Sequence, residues 1–125
     1  MLGDNAIDVI LLATDLEASR DFYAQKVGLE IVSESDDALT FKCGGDARLV
    51  ISASTTGTAD EQTQASWRVD DLEAELTELR SRGVEIVEID TPELKTDNGI
   101  VDTGDALHAW FVDPGNNTVG IDQYK

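Results

Sequence analysis

One histidine, one cysteine and two tryptophans stand among the 125 residues of this chain as the side chains best suited to chemistry or stacking. His108 precedes Trp110 by two positions, the spacing that places both on one face of a strand. There the imidazole acts as an acid/base or ligand-contacting group, or it is a hydrogen-bonded strand histidine with no further task. Trp110 is correspondingly a stacking platform or a core anchor, and Trp67 reads as core. Arg68 is conspicuous because the chain carries 9 basic residues against 26 acidic ones. An inward guanidinium at this position pairs with Asp8 or Asp122, or holds an anionic group of a ligand. Cys43, the only cysteine, reads as a small hydrophobe at a strand end. Alone, it excludes an intrachain disulfide and a cysteine-based zinc site.

The elements that position these residues repeat. Asp15-Leu16-Glu17-Ala18 returns as Asp71-Leu72-Glu73-Ala74, 56 positions later. Gly28-Leu29-Glu30-Ile31-Val32 returns as Gly83-Val84-Glu85-Ile86-Val87, 55 positions later. Each copy reads as strand, helix, strand and hairpin. A first strand spans about residues 7–13 or 65–69. Thr14 and Asp70 then stand three before Glu17 and Glu73, an N-terminal capping pattern. Leu72, Leu76 and Leu79 form one stripe of the second helix; Leu16, Phe22, Tyr23 and Val27 do similar work in the first. Gly28 and Gly83 suit the left-handed position that ends a helix, and a strand of alternating Ile/Val and Glu follows each.

Hairpins complete both copies. Residues 38–43 and 48–53 flank Gly44-Gly45-Asp46, and residues 108–112 and 118–123 flank Asp113-Pro114-Gly115-Asn116-Asn117. The expected organisation is a single domain over residues 1–125, with module one at about 5–54, a polar linker at about 54–63 and module two at about 64–125. Residues 91–105 form a longer loop with Pro92, Gly99 and Gly104. Two sheets, each with a helix on one face, leave their other faces available, and a hollow between duplicated halves is a natural ligand site.

Bulk properties narrow the partners. A hydrophobic share of 41% is that of a globular chain. The formal charge of −17 lacks the basic footprint that nucleic acid or an anionic membrane requires. With neither a 20-residue apolar run nor a basic and apolar leader, the expected location is the cytoplasm. Asp36-Asp37, Asp60-Glu61 and the glutamates of the second helix read as solvated surface.

The run Thr14-Asp15-Leu16-Glu17-Ala18-Ser19-Arg20-Asp21-Phe22-Tyr23, with Val27-Gly28-Leu29-Glu30 after it, resembles the opening of the vicinal oxygen chelate superfamily, which holds glyoxalase I, extradiol dioxygenases and bleomycin resistance proteins. Val69-Asp70-Asp71-Leu72-Glu73-Ala74 is similar to its second module, and Trp110-Phe111-Val112-Asp113-Pro114-Gly115-Asn116-Asn117 to its late hairpin. The resemblance implies an α+β fold: two tandem βαβββ modules forming a half-open curved mixed sheet with helices outside. It also implies that the metal-ligand positions of the superfamily's enzymes fall at Asp8, Ser52, Gln64 and Gly120. Only Asp8 is a strong ligand and Gln64 an acceptable one, whereas a catalytic divalent ion normally has about three good protein ligands. The expectation is therefore a metal-free member that binds or sequesters a drug or metabolite in the trough between its modules. Asp8, Gln64, Arg68, His108 and Trp110 are its candidate ligand contacts, and no catalytic residue is assigned. The alternatives are a metal-dependent lyase, isomerase or dioxygenase with an atypical site, and a ligand-free interaction module. Open sheet edges add the expectation of a homodimer.

Overall fold

The computed structural model describes residues 1–125. Its chain divides into two compact units, Met1–Asp60 with Pro114–Asn117, and Glu61–Asp113 with Thr118–Lys125. Each carries one four-stranded mixed sheet, as the repeat predicts.

In the first unit, β1 (Asp8–Ala13) runs parallel to β4 (Arg48–Ala53). β3 (Ala38–Lys42) and β2 (Glu30–Glu34) extend the sheet antiparallel, giving the order β1-β4-β3-β2. Strand alternation sends Leu11, Leu39, Phe41, Leu49 and Ile51 to the helix side, where all are buried. The first helix begins at α1 (Leu16–Asp21) and continues as a π-helical turn (Phe22–Lys26). Its cap is Asp15, one residue later than the pattern suggests, because the Asp15 carboxylate reaches the Ala18 amide at 3.1 Å. The π turn is visible in Val27 N–H donating to Phe22 O at 3.0 Å, and it leaves Tyr23 fully buried against Phe41. Gly28, at φ +84°, ends the helix as expected.

Ser19 on α1 is fully buried, and its Oγ has no hydrogen-bond partner. A desolvated hydroxyl without a partner costs about 1–3 kcal/mol. Ser19→Ala is expected to raise stability by about 1 kcal/mol, read as a higher urea midpoint at unchanged slope. A lower midpoint would show that the hydroxyl is engaged.

In the second unit, β5 (Thr63–Arg68) runs parallel to β8 (Thr118–Tyr124). β7 (Ala106–Val112) pairs antiparallel with β8, and the two-residue β6 (Val101–Asp102) pairs with β7. The order is β5-β8-β7-β6, the counterpart of the first sheet. α2 (Leu72–Ser81) is capped by Asp71, again one residue after the expected position. Its Leu72, Leu76 and Leu79 stripe is buried, each leucine contributing about 1.5–3 kcal/mol. Ala109, Phe111, Val119 and Ile121 form the buried sheet side of that core, and half-buried Trp67 stacks on Phe111 at 6.4 Å.

The strand expected directly after Gly83 does not form. In residues 84–88 one amide reaches the sheet, Val87 N–H donating to Trp110 O at 2.8 Å. The following backbone turns back on itself, Thr96 N–H donating to Ile89 O at 2.9 Å and Thr91 N–H to Leu94 O at 2.9 Å, and side chains add further bonds. Thr96 Oγ1 accepts from Ile89 N–H at 2.9 Å, and the Glu88 carboxylate accepts from the Thr96 hydroxyl at 2.8 Å and the Gly99 amide at 2.5 Å. The edge position passes to β6, beyond the loop. No helix in the chain is long and apolar enough to cross a membrane.

Candidate functional site

Each sheet has a face turned away from its helix. In the first unit that face carries Asp8, Ile10 and Leu12 from β1, and Arg48, Val50 and Ser52 from β4, in parallel register. Ile10 is 62% exposed. Asp8 is already engaged: its carboxylate accepts two hydrogen bonds from Arg48, at 3.1 and 2.7 Å. This bond, more than the charge itself, holds the Asp8 carboxyl below its ordinary range. Its sequence-expected alternative partner, Arg68, lies in the other unit's β5.

The second unit's face is chemically richer. Register places Arg68, Asp122 and His108 in one row across β5, β8 and β7, and Ser66, Gly120 and Trp110 in the neighbouring row. His108 Nδ1 meets Asp122 Oδ1 at 2.7 Å, with both side chains largely buried. The carboxylate accepts the Nδ1 proton, and Nε2 shares a hydrogen bond with Thr103 Oγ1 at 3.1 Å. Both ring nitrogens are thus occupied, so this imidazole is held in place more firmly than it is exposed for proton transfer. The Trp110 ring lies nearly parallel to it, with centroids 6.2 Å apart and planes inclined by 18°. Trp110 is half-buried and faces away from α2, so its indole lies as a flat platform on the open face and not in the core beneath the helix.

A glycine makes that platform possible. Trp110 Nε1 donates to Thr63 Oγ1 at 3.2 Å, although β8 runs between their strands. The two side chains meet because the β8 residue beside Trp110 is Gly120. A Cβ there would lie 2.5 Å from Ser66 Oγ and 3.4 Å from Thr63 Cγ2. The sequence pattern misses Thr63, since strict alternation from Gln64 turns it to the other side. The register of β5 shifts between Thr63 and Ala65, so Thr63 joins Ser66 and Arg68 on the open face. Gln64 is the extra residue of this bulge, and its amide donates back to Gln62 O at 2.9 Å. Thr103 was equally hidden; its only signal is a short polar loop before a strand containing histidine.

The sequence pattern of the Glyoxalase/Bleomycin resistance protein/Dioxygenase superfamily matches residues 6–121. The chain belongs to that superfamily. Solved structures agree in fold. TnmS3, an antibiotic binding protein from Streptomyces sp. CB03234, is 24% identical with a TM-score of 0.73, over 97% of this chain and 96% of that one. A glyoxalase/bleomycin resistance protein from the same source is 26% identical with a TM-score of 0.68, over 95% and 99%. Lactoylglutathione lyase from Agrobacterium tumefaciens is 19% identical with a TM-score of 0.71, over 94% and 91%. No curated protein matches in sequence.

The four residues that the resemblance assigns to a metal, Asp8, Ser52, Gln64 and Gly120, do not fit a divalent ion. Ser52 pairs in register with Leu12, four residues along β1 from Asp8, so the two lie about 13 Å apart and share no ion. The Asp8 carboxylate is taken by Arg48, Gln64 offers one neutral oxygen while its NH2 donates to the Gln62 carbonyl just before β5, and Gly120 offers no donor. No group of three or more His, Cys, Asp or Glu side chains is placed to hold a metal.

Proposed function

We propose that this superfamily member binds and sequesters a small organic molecule, a drug or metabolite, without a metal, on the open face of its second sheet. The observation that carries this reading is the fixed indole of Trp110, braced by Thr63 across Gly120 and flanked by the His108–Asp122 pair. An aromatic surface held in one orientation loses little freedom on binding, which favours affinity. The residues at those positions support the metal-free half of the reading, because the Asp8 carboxylate is bonded to Arg48, Gly120 has no side chain, and Ser52 and Gln64 offer only neutral oxygens. An antibiotic binding protein of nearly the same extent shares the fold, so the scaffold is compatible with such a role. A homodimer belongs to the same reading, since β1 and β5 each stand at a sheet edge.

Two measurements test it. Calorimetric titration with a panel of aromatic antibiotics and hydroxylated aromatic metabolites is expected to yield a binder of about 1:1 stoichiometry. Elemental analysis of protein purified without chelators is expected to show no stoichiometric divalent ion. A metal at one equivalent, lost in Asp8→Ala, would overturn the proposal in favour of a metal-dependent enzyme.

A further inference from the structure

We infer that the molecule held on the second sheet is an aromatic anion, with its ring on Trp110 and its carboxylate or phenolate on Arg68; this rests on the binding reading above. The argument begins with the arginines. The chain has five, and four have partners. Arg20 donates to Glu34 at 2.6 Å, Arg48 to Asp8 at 2.7 Å, Arg82 to Glu78 at 2.8 Å and Arg80 to the Asn98 carbonyl at 2.9 Å. Arg68 makes no hydrogen bond or ion pair, although 26 carboxylate residues share the chain with it. Its cross-strand neighbour is an aspartate, Asp122, yet that carboxylate is committed to His108 at 2.7 Å.

The open face therefore presents one charge without a counterpart, and it is positive. Asp122 is the one carboxylate in the rows that hold Arg68 and Trp110, and it already faces the imidazole. A guanidinium offers a planar fork that matches two oxygens of a carboxylate, a geometry an ammonium cannot reproduce. Arg68 and Trp110 stand two strands and two residues apart in register. Strand spacing and rise place their Cα atoms about 12 Å apart. A two-ring aromatic acid spans this gap once the arginine side chain leans toward it. The anion gives up water for the fork without breaking any pair the protein already has. A neutral analogue of the same shape keeps the stacking alone.

The test uses the full chain and two probes, naphthalene-2-carboxylate and naphthalene-2-carboxamide, titrated calorimetrically at pH 7. The carboxylate is expected to bind about 10-fold more tightly than the amide, the size of one charge-assisted bidentate contact. Arg68→Gln is expected to erase that preference while leaving the amide's affinity within about 2-fold, and Arg68→Lys to restore only part of it. Circular dichroism of each variant verifies that it is folded. Equal affinities for the two probes, or a preference that survives Arg68→Gln, would overturn the anion assignment and leave small-molecule binding standing. Failure of both probes to bind, while another neutral aromatic does bind, also overturns it. If no aromatic binds at all, the reading beneath it fails as well.

Discussion

Gly115→Ala is expected to lower the folding stability of this protein by about 3 kcal/mol, the upper end of the range for overpacking a tight contact. Gly115 lies in the turn Pro114–Asn117, which the sequence assigns to module two because it closes the β7–β8 hairpin. By its contacts the turn belongs to the first unit. A Cβ on Gly115 would run into the carbonyl oxygen of Leu12 and lie 3.0 Å from Asn117 Nδ2 and 3.2 Å from Ala13 Cα. Two of these three neighbours are backbone atoms of β1, held by its ladder to β4, so they cannot step aside as a side-chain tip can. The third, Asn117, is itself fixed: it is 1% exposed, donates to Leu12 O at 2.8 Å and accepts from the Thr58 hydroxyl at 2.6 Å. Pushing the turn outward breaks these bonds and strands buried polar groups. Urea denaturation checks the value. Gly44→Ala supplies the control, since a Cβ there meets nothing within 4 Å, and its effect is expected to stay within about 0.5 kcal/mol. Equal stability of the two variants would show that the turn is free to move.

The second large effect is on binding. Trp110→Ala is expected to weaken both naphthalene probes by about 30-fold or more, the loss typical of a central tryptophan anchor. The expectation follows from how the indole is held, by Thr63 on its nitrogen and by the imidazole of His108 beside its ring. Trp110→Phe keeps the stacking surface but loses the Nε1 donor, so an intermediate loss is expected. The pattern differs from that of Arg68→Gln, which acts on the charged probe alone. If Trp110→Ala left both affinities unchanged in a folded protein, the open face of the second sheet would not be where aromatic molecules settle.

Much of the architecture was legible because it depends on local rules. Period-two alternation in the strands, the Leu72, Leu76 and Leu79 stripe and the terminal glycines Gly28 and Gly83 each act over a few residues, and each forms as expected. The helix caps were displaced by one residue, since two adjacent polar side chains, Thr14 and Asp15 or Asp70 and Asp71, satisfy the same pattern and only geometry chooses between them. The residues after Gly83 alternate as a strand does, yet they form none. Val87 N–H reaches β7, but the Ile89 amide goes to the Thr96 hydroxyl across a loop, a partner that alternation alone does not reveal.

The candidate site separates the two kinds of information most clearly. Residue order alone determined that the chain is a duplicated α+β protein of this superfamily, that Asp8, Ser52, Gln64 and Gly120 make a poor set of metal ligands, and that His108 and Trp110 share a strand face. Tertiary structure decided who touches whom. Asp8 went to Arg48 and Asp122 to His108, which left Arg68 without a partner. A one-residue bulge turned Thr63, not Gln64, toward the indole. The physical reason is that cross-strand register joins residues distant in sequence, 14, 40 and 47 positions apart in these three contacts. A single inserted residue reverses which side chains face each other, and no local pattern carries that information.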